Sequence, residues 1–275
     1  MFEFERLKYI NHLGQVIDFG VDGFFVNAND MRDYEWEVKT KGDKITGFKR
    51  GMTSKTLPVV VFSENEQDAI NKKNRLFEEV EKDVLANRAG KIVIGDYYYK
   101  CFVVESSKAN YVKDKRFAKF GLGLVSDEPY WVKETKHSFR KIEADDEDNL
   151  DYPYDYPYDY YSGSSSQRIV NSFFAPVGFK MVIYGAVNNP TIVIGGHSYK
   201  VNTTVSIGEY LTIDSKEKTI VLTKVSGEKV NKYNDRGRAS YIFEPIPNGS
   251  SAVTWVGSFG FDITLLEERS EPKWT

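Results

Sequence analysis

Cysteine is almost missing from this 275-residue chain. Cys101 is the only one, so neither an intramolecular disulfide framework nor a cysteine-based zinc site can form. It sits in the alternation Tyr99, Cys101, Val103, where a buried structural thiol is expected and a nucleophile is not. Histidine is nearly as scarce. His12, His137 and His197 lie far apart, none has a ligand partner at helical or hairpin spacing, and His197 follows a glycine turn where an exposed ring is expected. There is no phosphate-binding loop and no nucleophile elbow. Gly121-Leu122-Gly123 is too short for a dinucleotide fingerprint and lacks the strand-to-helix context. Any two acids can meet in space as a glycosidase pair, and nothing in the sequence nominates one. The expectation is no enzyme, no cofactor and no metal.

Long apolar runs are also absent, and none approaches the roughly 18 residues of a membrane helix. The opening MFEFERLKY carries early acids and no apolar leader segment. The expected setting is the cytoplasm, or a particle assembled there, with no membrane partner.

Aromatic residues, by contrast, are abundant: 18 Tyr and 18 Phe, as in β-rich chains. They concentrate in DYPYDYPYDYY, residues 151–161. Written as an extended strand, Tyr152, Tyr154, Tyr156, Tyr158 and Tyr160 share one face, and Asp151, Pro153, Asp155, Pro157 and Asp159 the other. Two prolines exclude a helix and deny one edge a regular ladder. Between Glu143 and Ser165 stand eight acids and no Lys or Arg. Residues 1–142 hold 25 basic and 22 acidic residues (+3), and 166–275 hold 12 and 10 (+2), so +3 − 8 + 2 gives the net −3. The belt alone makes the protein acidic. So tyrosine-rich a connector is expected to order against a protein surface. Interleaved aspartates argue against stacking nucleic-acid bases, which needs a basic groove. The acidic run Asp145, Asp146, Glu147, Asp148 lacks the loop glycine and ligand spacing of an EF-hand.

The belt splits the chain into a first domain at 1–142, a linker at 143–165 and a second domain at 166–275, each domain long enough for its own core. In the first, Phe2 and Phe4 begin a strand. Tyr34, Trp36 and Val38 alternate with Glu35, Glu37 and Lys39 as a half-buried strand, turned at Lys41-Gly42-Asp43 towards a partner at Ile45–Phe48. Leu57–Phe62 reads as a more buried strand. One helix comes next, opened by a capping box at Ser63 and Glu66, with Ile70, Phe77, Val80 and Val84 as its core stripe and Lys72, Lys73, Glu78, Glu79 and Lys82 outward. Asn87–Gly90 stops it. Lys91–Ile94 and Tyr97–Val104 flank a Gly95-Asp96 hairpin, and Val112–Val125 is a further strand ending at Asp127-Glu128-Pro129.

Beyond the belt the pattern is strand and turn: Ile169–Ala175, Phe179–Ala186, Thr191–Ile194, Ser198–Asn202, Tyr210–Ile213, Thr219–Thr223, Ala239–Phe243, Ala252–Val256 and Gly260–Glu267. Turns fall at Gly195-Gly196, Asp214–Glu217 and Pro245–Gly249. Short strands at this spacing without helices indicate a β-sandwich or jelly roll. Were it to bind glycan, Tyr199 and Trp255 are the aromatic platforms the sequence offers.

Several stretches, in order, resemble the distal tail protein of phages infecting Gram-positive bacteria, the siphovirus-type tail component family. They are Asp33-Tyr34-Glu35-Trp36-Glu37-Val38, Ile45-Thr46-Gly47-Phe48, the buried strand leading into the capped helix, and the Tyr-Pro-Tyr belt. In the second domain they are Ile183-Tyr184-Gly185 with Asn189-Pro190, Gly208-Glu209-Tyr210-Leu211-Thr212-Ile213-Asp214, Tyr233-Asn234-Asp235 and Glu268-Arg269-Ser270-Glu271-Pro272. The resemblance spans nearly the whole chain. It implies a mainly β protein with an N-terminal ring-forming domain bearing one α-helix and a C-terminal galectin-like sandwich. It implies a homo-hexamer at the distal end of the virion tail, between the tail-tube protein and the tail-associated hub protein, with a central channel for DNA and with receptor-binding or baseplate proteins attached. No cofactor and no specific nucleic-acid binding are implied. A host-wall carbohydrate-binding module acting through the second domain is the alternative.

Overall fold

The computed structural model describes residues 6–21, 23–26, 28–108, 115–142 and 165–274. The tyrosine belt and the strand expected at Phe2 and Phe4 lie outside them. Contacts divide the chain into two compact units, 1–133 with 268–275, and 134–267.

The first unit contains β1 (Leu7–Ile10), β2 (Val16–Phe19), β3 (Phe24–Val26), β4 (Glu37–Lys41), β5 (Lys44–Lys49), β6 (Thr53–Phe62), α1 (Glu66–Ala86), β7 (Gly90–Ile94), β8 (Tyr97–Lys108), β9 (Phe117–Ser126) and the start of β10 (Trp131–Phe139). Its strand pairs are antiparallel. The early part of β8 pairs with β7 and with Trp131–Lys133 of β10, and its later part, from Phe102 on, pairs with β9 across a register shift between Val103 and Glu105. β6 pairs with β9 along its whole length and with β3 on its other side, while β1 bridges β7 and β2. Alternation places Leu57, Val59 and Val61 of β6 with Ile92, Tyr99, Leu122 and Trp131 in one core, as period-two strands with one buried face require. Cys101 is fully buried, and desolvation pushes its thiol up to about 12.

Helix α1 exists where expected, with two corrections. Its N-cap is Asn65, not Ser63: the Asn65 side chain accepts from the N–H of Gln67 at 2.8 Å and of Asp68 at 3.3 Å. Ser63 donates instead to the Asp68 carboxylate, and Glu66 pairs with Lys115 at 2.7 Å. The buried stripe is Ala69, Leu76, Glu79, Val80 and Asp83, turned by about one residue from the expected one, so that Val84 is 43% exposed. Glu79 is therefore inside, because its charge has partners. It accepts from Asn11 Nδ2 at 2.8 Å and pairs with Lys82 at 3.0 Å. Asp83, fully buried, accepts from the Tyr9 hydroxyl and from the His12 N–H at 2.9 Å, and its Oδ1 lies 2.5 Å from His12 Nδ1. Burial first, and then Asp83, raise the Tyr9 hydroxyl above its ordinary pKa. Gly90 runs so close that a Cβ there would stand 2.1 Å from Asp83 Oδ2. The helix ends at Asn87 in the left-handed region, φ 49°, its N–H bonded to Asp83 and Val84 carbonyls.

The second unit holds the rest of β10 and β11 (Ser165–Asn171), β12 (Gly178–Tyr184), β13 (Val187–Asn188), β14 (Thr191–Ile194), β15 (His197–Lys200), β16 (Thr204–Val205), β17 (Tyr210–Asp214), β18 (Thr219–Thr223), β19 (Lys229–Asn231), β20 (Gly249–Trp255) and β21 (Phe261–Arg269). One sheet carries the order β19-β18-β17-β12-β21-β10 and the other β11-β20-β14-β15. The inward residues Phe179, Met181, Ile183, Ile192, Ile194, Leu211, Ile213 and Val253 belong to a single core, the two-sheet arrangement that the strand spacing indicated. Ala239–Phe243 is not a strand but an irregular turn. Ile242 and Phe243 are adjacent and both buried, which a period-two strand cannot do. His197 sits on the surface with Nε2 2.8 Å from the Tyr241 carbonyl. After Glu267 the chain returns to the first unit. There Arg32 Nη1 donates to the Pro272 carbonyl at 2.8 Å, and its guanidinium lies 3.9 Å over the Trp274 ring.

Asp83→Ala is expected to cost about 2–4 kcal/mol, because it removes the partner of the buried Tyr9 hydroxyl and of the part-buried His12 backbone and ring. The urea midpoint of the full chain measures it, and a shift worth under about 0.5 kcal/mol would show that the network does not hold the helix.

Candidate assembly surface

The most exposed apolar feature of the first unit is the β4–β5 hairpin. Among the described residues it pairs only with itself, and every residue of both strands is exposed except the half-buried Gly47. A two-stranded ribbon alone is at best marginally stable in water, so its geometry is informative. Val38 opposes Phe48 and Lys39 opposes Gly47, after which the register shifts and Thr40 opposes Ile45. Thr46 is thus the extra residue of a bulge, its hydroxyl donating to the Lys39 carbonyl at 3.1 Å. One inserted residue flips the parity of the strand on its far side, so Ile45 comes to the same face as Phe48. That face reads Val38, Thr40, Ile45, Phe48, while Glu37, Lys39, Lys41, Lys44 and Lys49 take the other. Exposures of 52% for Val38, 62% for Ile45 and 60% for Phe48 make an apolar strip on water, the kind of patch that marks an interaction site.

The hairpin's root is fixed. Arg50 lies over Tyr130 at 4.9 Å, Trp36 at 5.8 Å and Tyr34 at 6.0 Å, and Trp36 meets Tyr130 edge-on at 6.3 Å. Burial lowers the Arg50 pKa. Lys49 and Glu37, opposite one another, close an ion pair at 2.6 Å. Lys55, nearly buried, donates to the carbonyls of Asp30 at 2.5 Å and Asp33 at 2.6 Å, anchoring the approach to β4. The alternation Tyr34, Trp36, Val38 predicts a half-buried strand, whereas all three are exposed, at 52%, 40% and 52%. Four lysines between positions 39 and 49 were the available signal.

The two glycan platforms are a correction. Tyr199 is 1% and Trp255 3% exposed. Tyr199 meets Phe179 edge-on at 5.2 Å and donates its hydroxyl to the Glu244 carbonyl at 2.8 Å. Trp255 packs against Phe139 and Phe261 and donates to the Phe259 carbonyl at 3.0 Å. Both rings were placed outside by residue type alone, whereas inward register on β15 and β20 puts them in the core, with no face left for a sugar. The belt tyrosines Tyr152, Tyr154, Tyr156, Tyr158 and Tyr160 lie outside the described residues. Among the described residues no group of three His, Cys, Asp or Glu is arranged to hold a metal ion, and no helix is long and apolar enough to cross a membrane.

Taken over nearly its whole length, the chain shares its fold with proteins of phage adsorption and baseplate assemblies. Among solved structures, the chain is similar to the crystal structure of SPP1 Dit (gp 19.1), described as a paradigm of the hub adsorption apparatus in Gram-positive infecting phages. The TM-score is 0.57 at 13% identity, over 97% of this chain and 100% of that one. It is also similar to a chain of the phage P2 baseplate in its activated conformation, with Ca (TM-score 0.63, 10% identity, 98% and 99% covered) and with Sr (0.61, 11%, 98% and 100%). At these identities the likeness is one of fold. No protein-family model matches the sequence, and no curated protein does.

Replacing both Val38 and Phe48 by Ser is expected to change stability by less than about 1 kcal/mol, because both are already exposed. Arg50→Ala is expected to cost about 1–2 kcal/mol through lost cation–π and stem packing. Denaturant midpoints of the two variants distinguish a free hairpin from a buried one.

Proposed function

We propose that this chain is a structural phage tail protein, a distal tail hub that closes into a homo-hexameric ring at the tip of the tail. In this reading the ring joins the tail-tube protein to the tail-associated hub protein, carries receptor-binding or baseplate proteins, and leaves a central channel through which DNA passes. The protein acts by assembly rather than by turnover, is built in the host cytoplasm and ends in the virion. The observation that carries the reading is the β4–β5 hairpin, an apolar strip held out on a fixed root, in a chain whose fold matches a phage hub protein from end to end. A strip of that kind is suited to a second copy of the chain, because a head-to-tail contact whose rotation closes makes a ring. The belt tyrosines Tyr152 to Tyr160 are assigned a role in protein contact, ordering against a domain surface or a neighbouring subunit. The glycan-binding alternative has lost its two platforms.

Light scattering after size exclusion, followed by electron microscopy, tests the assembly. The expected species has six-fold mass and a central opening. A chain that stays monomeric at every concentration and forms no rings on purified tail tubes counts against the hub. For the belt, changing Tyr154, Tyr156 and Tyr158 to Ser is expected to lower either the stability or the ring yield; no change in both removes its contact role.

A further inference from the structure

Resting on the ring reading, we infer that the groove between α1 and β8 is the receiving site for the β4–β5 hairpin of the adjacent copy. The groove has about 330 Å³ of space and an apolar floor of Phe77, Val80, Val84, Val103 and Val104, flanked by Glu81 and Glu105. Val84 at 43% and Val104 at 56% exposure leave it open to solvent. It exists because α1 crosses β8 where the register shift at Val103–Glu105 interrupts regular pairing. A space of this size takes side chains of one face, not a whole hairpin, and Phe48 with Ile45 are the pair the neighbour presents.

Charge selects the occupant. Among the described residues, Glu81 and Glu105 have no ion-pair partner, and neither do Lys39, Lys41 and Lys44. The hairpin Glu37–Lys49 carries four lysines against Glu37 and Asp43, a net of +2. A basic, apolar ribbon thus meets an acidic, apolar groove, and long lysine stems reach round the edges of the ribbon to the flanking carboxylates. Lys108, with its ammonium 5.2 Å from the Phe77 ring, offsets one of the two carboxylates and leaves the groove acidic by one charge. Hairpin and groove are different patches of one unit, so the contact is heterologous, the type that propagates around a ring.

Two measurements on the full chain test it. In the first, Ile45→Cys and Val104→Cys are made separately and mixed with a short bis-maleimide, so any heterodimer formed must join two copies. Cys101, buried with its thiol pushed up to about 12, stays silent. Crosslinked heterodimers are expected from the mixture and only background from either variant alone. In the second, Glu81→Lys with Glu105→Lys, or Lys39→Glu with Lys44→Glu, is expected to weaken association at least about tenfold. All four changes together are expected to restore it to within about threefold. If the unaltered chain forms rings but the heterodimer is missing and the charge reversals assemble normally, the groove assignment is overturned while the hub reading stands. If the unaltered chain forms no oligomer under any condition, the ring reading itself fails, and this inference with it.

Discussion

The first unit hangs on one carboxylate. Asp83 is reached by Tyr9 of β1 and by both the backbone and the ring of His12, and it leaves room only for a glycine at the start of β7. A buried charge is costly unless its lone pairs are filled, and here the donors come from the loop and strand that the helix must be registered against. Helix position, the β1–β2 turn and the entry to β7 are therefore set together. With the helix so placed, Val84 stays 43% exposed and lines the groove beside β8.

The same unit combines rigidity at a root with exposure at a tip. Arg50 among three aromatic rings, and Lys55 beneath the approach loop, direct a ribbon whose strands pair, among the described residues, only with each other. The bulge at Thr46 converts a sequence whose apolar residues fall out of step into a ribbon with one apolar side. Such features are costly in an isolated molecule and are retained where another surface covers them.

Much of this was legible in the sequence, and the remainder has identifiable causes. Capped helix, Gly95 hairpin and most strands of the second unit arise from local chemistry: turn residues, β-branched runs and a break in periodicity. The errors lie where a partner distant in sequence decides. Glu79 looked solvent-facing because nothing nearby shows that Asn11 will meet it. Val84 looked buried for the converse reason. Tyr199 and Trp255 are aromatic residues whose side depends on packing that the local pattern does not show: Tyr199 meets Phe179, and Trp255 pairs with Ile192, 63 residues away. The hairpin's alternation was visible, but alternation alone does not say whether the apolar side has a cover.

The path of the chain between the units sets a timetable. Residues 134–267 fold as an excursion from a unit whose last contributors are Glu271, Pro272 and Trp274, gathered by Arg32. During synthesis these residues emerge after the entire second unit, which can fold as a body on its own core. The first unit is thus long translated yet unfinished while the second is being made. The clasp at Arg32 then becomes a late event, closing the hairpin-bearing unit only once residues 271–274 have been made.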